Sequence, residues 1–145
     1  MWTVAVGGHR GGMTRLQRRA WRATTVAGAA GTGILVWALL DAGGTDLAAR
    51  TGDTVRHIGP TDVVATCVIA GLAAWAMLAG LERWTRRPYA TYLINGTVAL
   101  AASLLGPLGG VTTSARLGLL ALHGAVGAVL LLAMPVGARR RRDTM

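Results

Sequence analysis

The chain has 145 residues, 52% of them hydrophobic and 14% charged, with a formal net charge of +9. A soluble domain carries about 25% charged residues, so this composition excludes an ordinary water-soluble globule. The charge does not indicate nucleic acid, because the arginines fall at the ends of apolar runs rather than along one helical face.

There is no lysine and no phenylalanine, a bias that fits a GC-rich bacterial genome. Cys67 is the single cysteine and lies within an apolar run, which excludes an intrachain disulfide and a thiolate metal site. It reads as a small buried apolar residue.

Residues 1–14 are Gly-rich at their start, lack periodicity and read as a disordered segment. Met13 stands directly before the Arg-rich stretch and is a candidate translation start. Arg15, Arg18, Arg19 and Arg22 precede the first apolar run, Ala23 to Leu40. A basic segment before an apolar one also describes a signal peptide. This run is about 18 residues, long for a signal core, and no small-x-small cleavage site precedes Asp41. It therefore reads as a retained helix, long enough at ~1.5 Å per residue to reach across the hydrocarbon core. Trp21 and Trp37 suit its two interfaces. Ala29 with Gly33, and Gly28 with Thr32, put small residues four apart, a spacing that lets helices approach closely in lipid.

Asp41 to Pro60 is the longest polar connection, with Thr45 placed to cap a short helix through Ala49. Asp62 suits the N-cap of the second helix, Val63 to Leu81. In that run Gly71, Ala74 and Leu78 share a face, and Trp75 lies deep enough to pack on a neighbour. Glu82 to Arg87 forms a tight turn. Glu82 there can pair with Arg86, Arg83 or an N-terminal arginine. Pro88 opens the third helix, with Tyr89 and Tyr92 as interface residues, and Gly106-Pro107 closes it. Asn95-Gly96-Thr97 matches a glycosylation sequon but lies within an apolar span and is discounted. Thr113 or Ser114 can cap the fourth helix, Ala115 to Met134, which contains His123. Pro135 and a basic tail, Arg139 to Arg142, follow.

The fold class is thus all-α: a polytopic membrane protein built as a four-transmembrane-helix, up-down-up-down bundle. Its domain is expected at 15–138, with helices near 20–40, 62–82, 89–106 and 115–135 and a tail at 139–145. The flanks with Arg10, Arg15, Arg18, Arg19, Arg22, Arg83, Arg86, Arg87 and Arg139 to Arg142 share one side. Arg50, Arg56 and Arg116 lie on the other. Twelve against three places both termini in the cytoplasm of a bacterial plasma membrane.

Three stretches resemble a known group. They are Arg18-Arg19-Ala20-Trp21 through Leu35-Val36-Trp37-Ala38, Gly71 to Arg87, and Leu119 to Pro135 with Ala121-Leu122-His123. Together they cover most of the chain from about residue 15. The chain is similar to small four-helix membrane proteins of unknown function from actinobacteria, a resemblance that implies no activity. The first dozen residues do not fit the group's usual start, which favours Met13.

Nucleophilic triads, paired catalytic carboxylates, phosphate loops and zinc spacings are absent from the sequence, so no enzyme and no cofactor is expected. His123 is the ionisable side chain well inside a span, a functional candidate by default. Its expected depth is the outer half of the bilayer, and its expected partners are Asn95, Ser103, Thr66 or Thr32. Arg83, Arg86, Arg87, Arg139 and Arg140 are candidate contacts for anionic lipid. The functional reading is a structural or interaction role in the bilayer, as an accessory subunit of a membrane-protein partner or as a homo-oligomer. The alternative is a small transporter or channel component built on a polar seam of His123 and Asn95.

Overall fold

In the computed structural model, which describes residues 14–51 and 53–135, four helices run in series. They are α1 (Arg15–Ala42), α2 (Pro60–Trp84), α3 (Pro88–Ser103) and α4 (Thr113–Ala133). All four contribute spans long and apolar enough to cross a membrane. Each helix packs on its neighbours in sequence, and α1 also packs on α4, which closes the bundle. The residues 1–13 and 136–145, with the expected N-terminal segment and basic tail, lie outside the described residues.

The helix starts are set by local chemistry. Thr14 and Gln17 form a capping box, Thr14 Oγ1 accepting from Gln17 N at 3.2 Å and Gln17 Oε1 accepting from Thr14 N at 2.8 Å. This draws the arginine-rich stretch into α1, about five residues earlier than the sequence suggests. Asp62 is not the N-cap of α2. Gly59 takes that place, and Asp62 sits one turn in, its carboxylate accepting from Gly59 N at 3.2 Å. In α4 the cap is Thr112, whose hydroxyl accepts from Ala115 N. α3 stops at Ser103, and Gly106-Pro107 opens a short 3₁₀ turn (Gly106–Gly109) instead of closing the helix.

The connection between α1 and α2 is the main departure from expectation. No helix follows Thr45. β1 (Ala48–Thr51) pairs antiparallel with β2 (Thr54–His57), Ala48 opposite His57 and Thr51 opposite Thr54. The strands are separated in sequence by Gly52-Asp53, a pair suited to a two-residue hairpin. The hairpin is anchored on both sides. Ala48 O accepts from Val111 N at 3.2 Å, and Trp37 Nε1 donates to Ile58 O at 3.0 Å. Leu47 and Ala48 are buried beneath it. The hairpin and the 3₁₀ turn together cap one end of the bundle.

Between the helices the small residues permit close approach. Ala29 is fully buried and Gly33 lies against Cys67 and Val63, while Gly71 lies against Val26. These pairs join α1 to α2. Trp75 packs on the core cluster with Leu78 and Tyr92, so Tyr92 is a core residue rather than an interface one. Gly28 faces outward with nothing nearby.

A Cβ added at Gly71 would stand 2.8 Å from a Val26 methyl carbon. Gly71→Ala should therefore destabilise the bundle by about 1–3 kcal/mol, measured by unfolding in detergent. Gly28→Ala, in open space on the same pair of helices, should cost nothing; equal losses from the two would contradict this packing.

Candidate functional site

Within a span a polar side chain has no water to bond, so its partner must come from the protein. Most hydroxyls meet this by turning back on their own helix. Thr24 bonds Ala20 O, Thr25 bonds Trp21 O, Thr32 bonds Gly28 O, Thr91 bonds Arg87 O and Ser103 bonds Leu100 O, all at 2.7–3.0 Å. His123 does the same, with Nδ1 2.9 Å from Leu119 O. A carbonyl only accepts, so Nδ1 carries the proton and Nε2 is left as an acceptor in the neutral ring.

His123 lies midway along α4, ten residues from each end. It lines a cavity of about 380 Å³ between α2, α3 and α4. Thr66 and Ser103 line it too, and otherwise the walls are apolar, with Met77, Leu100 and Leu131 among them. Asn95 does not join this site. It is exposed on α3 and makes no hydrogen bond to a described residue. Thr32 is likewise committed to its own helix. The expected His123–Asn95 seam is therefore not formed, because α3 turns Gly96, not Asn95, toward Leu131 of α4. Among the described residues no group of three or more His, Cys, Asp or Glu side chains could hold a metal ion.

The second polar constellation lies where α1 begins and α2 ends. Arg22 Nη2 is 2.6 Å from Glu82 Oε1, and the arginine side chain is only 10% exposed. Of the partners open to Glu82 in the sequence, the N-terminal arginine is the one realised, across sixty positions. Arg18 and Arg19 line a hollow of about 180 Å³ with this pair. Sequence spacing could not single out this cluster, since nine other arginines are expected on that side. By contrast Arg83, Arg86 and Arg87 are exposed around the α2–α3 turn. Arg139 and Arg140 lie outside the described residues.

Two aromatic donors finish this end. Trp21 Nε1 donates to Ala133 O and Tyr92 hydroxyl to Leu130 O, each at 3.0 Å. Both carbonyls belong to the last turn of α4, where intrahelical donors grow scarce; Leu130 O also accepts from Met134 N at 3.3 Å.

Glu82→Gln would leave a buried guanidinium without its counter-ion. Stability in detergent should fall by about 1–3 kcal/mol, and the double variant Arg22→Met with Glu82→Leu should recover most of it. A midpoint unmoved by Glu82→Gln would show the pair to be idle.

Comparison with known proteins gives one match. A model described as a family of unknown function (DUF6069) matches residues 13–141. No curated protein and no solved structure matches the chain. The matched span takes in the hairpin and all four apolar helices, and the chain is thus a membrane protein belonging to the family of unknown function DUF6069.

Proposed function

We propose that this chain is a multi-pass protein of a bacterial cytoplasmic membrane, with both termini in the cytoplasm, and that it acts by association within the bilayer rather than by catalysis. The orientation rests on arginine distribution. Among described residues Arg18, Arg19, Arg22, Arg83, Arg86 and Arg87 lie at one end and Arg50, Arg56 and Arg116 at the other. Two of the latter are engaged locally, Arg56 by Asp62 and Arg116 by Gly110 O. The excess favours that first end as cytoplasmic.

The observation that carries the association is Asn95. It stands seven residues from one end of α3 and eight from the other, exposed beside Ile94 and Val98. A carboxamide has two donors and an acceptor, more than its own helix can satisfy. Facing lipid, it is met only by a polar group of another chain. A two-fold interface sets a residue near the axis against its own image. A carboxamide is complementary to itself, so a second copy is the favoured partner, and an accessory-subunit role would place a different chain on the same face. A small transporter component is the second reading, favoured by His123 midway along α4 and lining a cavity of about 380 Å³. It requires that His123→Ala abolish a flux in proteoliposomes while the protein stays folded.

Mild cross-linking in native membranes followed by mass spectrometry should find a dimer, and Asn95→Leu should weaken it about fivefold with the helix content kept. A monomer indifferent to Asn95→Leu would sink the reading. In a Cys67→Ala background, cysteines at Asp53 and Thr144 should label from opposite sides of the membrane, Asp53 from outside.

A further inference from the structure

Arg18, Arg19 and Arg22 project within about 100° of arc on α1, since residues three and four apart share a helix face. Like charges at that spacing repel. Among the described residues Glu82 is the only carboxylate lining their hollow, and it is engaged by Arg22. Neither Arg18 nor Arg19 has an acidic partner among the described residues. The hollow therefore holds three guanidinium groups against one carboxylate.

Its level in the membrane is fixed by its neighbours. Trp21, in the same turn of α1, reaches the last carbonyl of α4. Helix ends of this kind lie near the headgroups. The hollow also differs from the Arg86-Arg87 turn. There both side chains are exposed and attract anionic lipid only diffusely, whereas in the hollow Arg22 is buried, Arg18 half-buried and only Arg19 exposed. Here Arg22 is held rigidly by Glu82, with two further arginines beside it. A planar guanidinium fork matches phosphate oxygens two at a time, and one phosphate would relieve the repulsion and supply the missing counter-charge.

We propose that the hollow lined by Arg18, Arg19, Arg22 and Glu82 binds a phosphate group. Arg22 is its fixed wall, and Arg18 and Arg19 are the forks that close on the ligand. The bilayer supplies such a group as the headgroup of an anionic phospholipid; the cytoplasm supplies it as free phosphate. The site is independent of any pairing through Asn95.

The test uses the full-length protein in neutral detergent, titrated with phosphatidylglycerol, phosphatidylcholine or inorganic phosphate and read by native mass spectrometry and thermal midpoint. One phosphatidylglycerol should bind, phosphatidylcholine more weakly. The double variant Arg18→Gln with Arg19→Gln should lose about thirtyfold in affinity. Arg86→Gln with Arg87→Gln, an equal loss of charge, should change it less than about twofold. Circular dichroism and elution volume check that both variants fold. A midpoint raised by inorganic phosphate as much as by the lipid, and lost with Arg18 and Arg19, would make free phosphate the source. Binding unchanged in the Arg18, Arg19 variant, or lost equally in the Arg86, Arg87 variant, would overturn the site.

Discussion

The hydrocarbon layer supplies no hydrogen-bond partner, and this bundle is arranged around that lack. A helix satisfies its own backbone except at its ends, where the last four carbonyls have no donor. At the end of α4 Ala133 O is met by Trp21 of α1, and Leu130 O, which also accepts from Met134 N, by Tyr92 of α3. The two bonds thus tie α1 and α3 separately to the end of α4. At the opposite end it is the connecting backbone that is tied down. The hairpin lends Ala48 O to Val111 N, and Trp37 holds Ile58 O in place before α2.

Packing then divides the four helices unequally. Lipid tails are as apolar as leucine, so burial gives little drive and close contact must do the work. α1 meets α2 where Gly33 receives the side chains of Cys67 and Val63 and Gly71 receives that of Val26, with Ala29 fully buried. α3 is held more loosely. Gly96 receives Leu131 and Gly127 receives Leu100, two notches on the α3–α4 seam. α3 is also short, about 24 Å at 1.5 Å per residue. The cavity that His123 lines lies between this helix, α2 and α4.

Much of this could be read in the residues. The four spans follow from apolar runs of membrane length, and the faces of Ala29, Gly33, Gly71 and Leu78 follow from helical spacing. What escaped depends on rotation and on distant partners. Spacing along α3 cannot say whether Asn95 or Gly96 turns toward α4, since one residue of rotation is 100°. The bulk of Leu131 decides it in favour of glycine. Tyr92 looked like an interface residue because it stands one turn into α3, yet its hydroxyl reaches a carbonyl 38 positions away and its ring is buried. The hairpin was missed for a different reason. Its signal, a Gly-Asp pair between Thr51 and Thr54, was present, but the strands are short and have little alternation.

The polar groups that the fold leaves without partners sort by depth, and depth determines what can satisfy them. Asn95 lies midway along α3, and in the proposed association a polar group of another polypeptide is its complement, since acyl chains neither donate nor accept. Arg18 and Arg19 lie in the first turns of α1, level with the end of α4, where lipid phosphates are the commonest anions. His123 stands between these cases. Its Nδ1 is satisfied by Leu119 O, and its Nε2 remains as an acceptor beside a cavity with apolar walls. A bundle that turns Thr24, Thr25, Thr32, Thr91 and Ser103 back onto their own carbonyls has the means to silence its polar groups. A carboxamide and paired guanidinium groups cannot be silenced this way, because each carries more donors than one helix can accept. That is why the proposed contacts, with a second chain and with a phosphate group, are placed at those residue types.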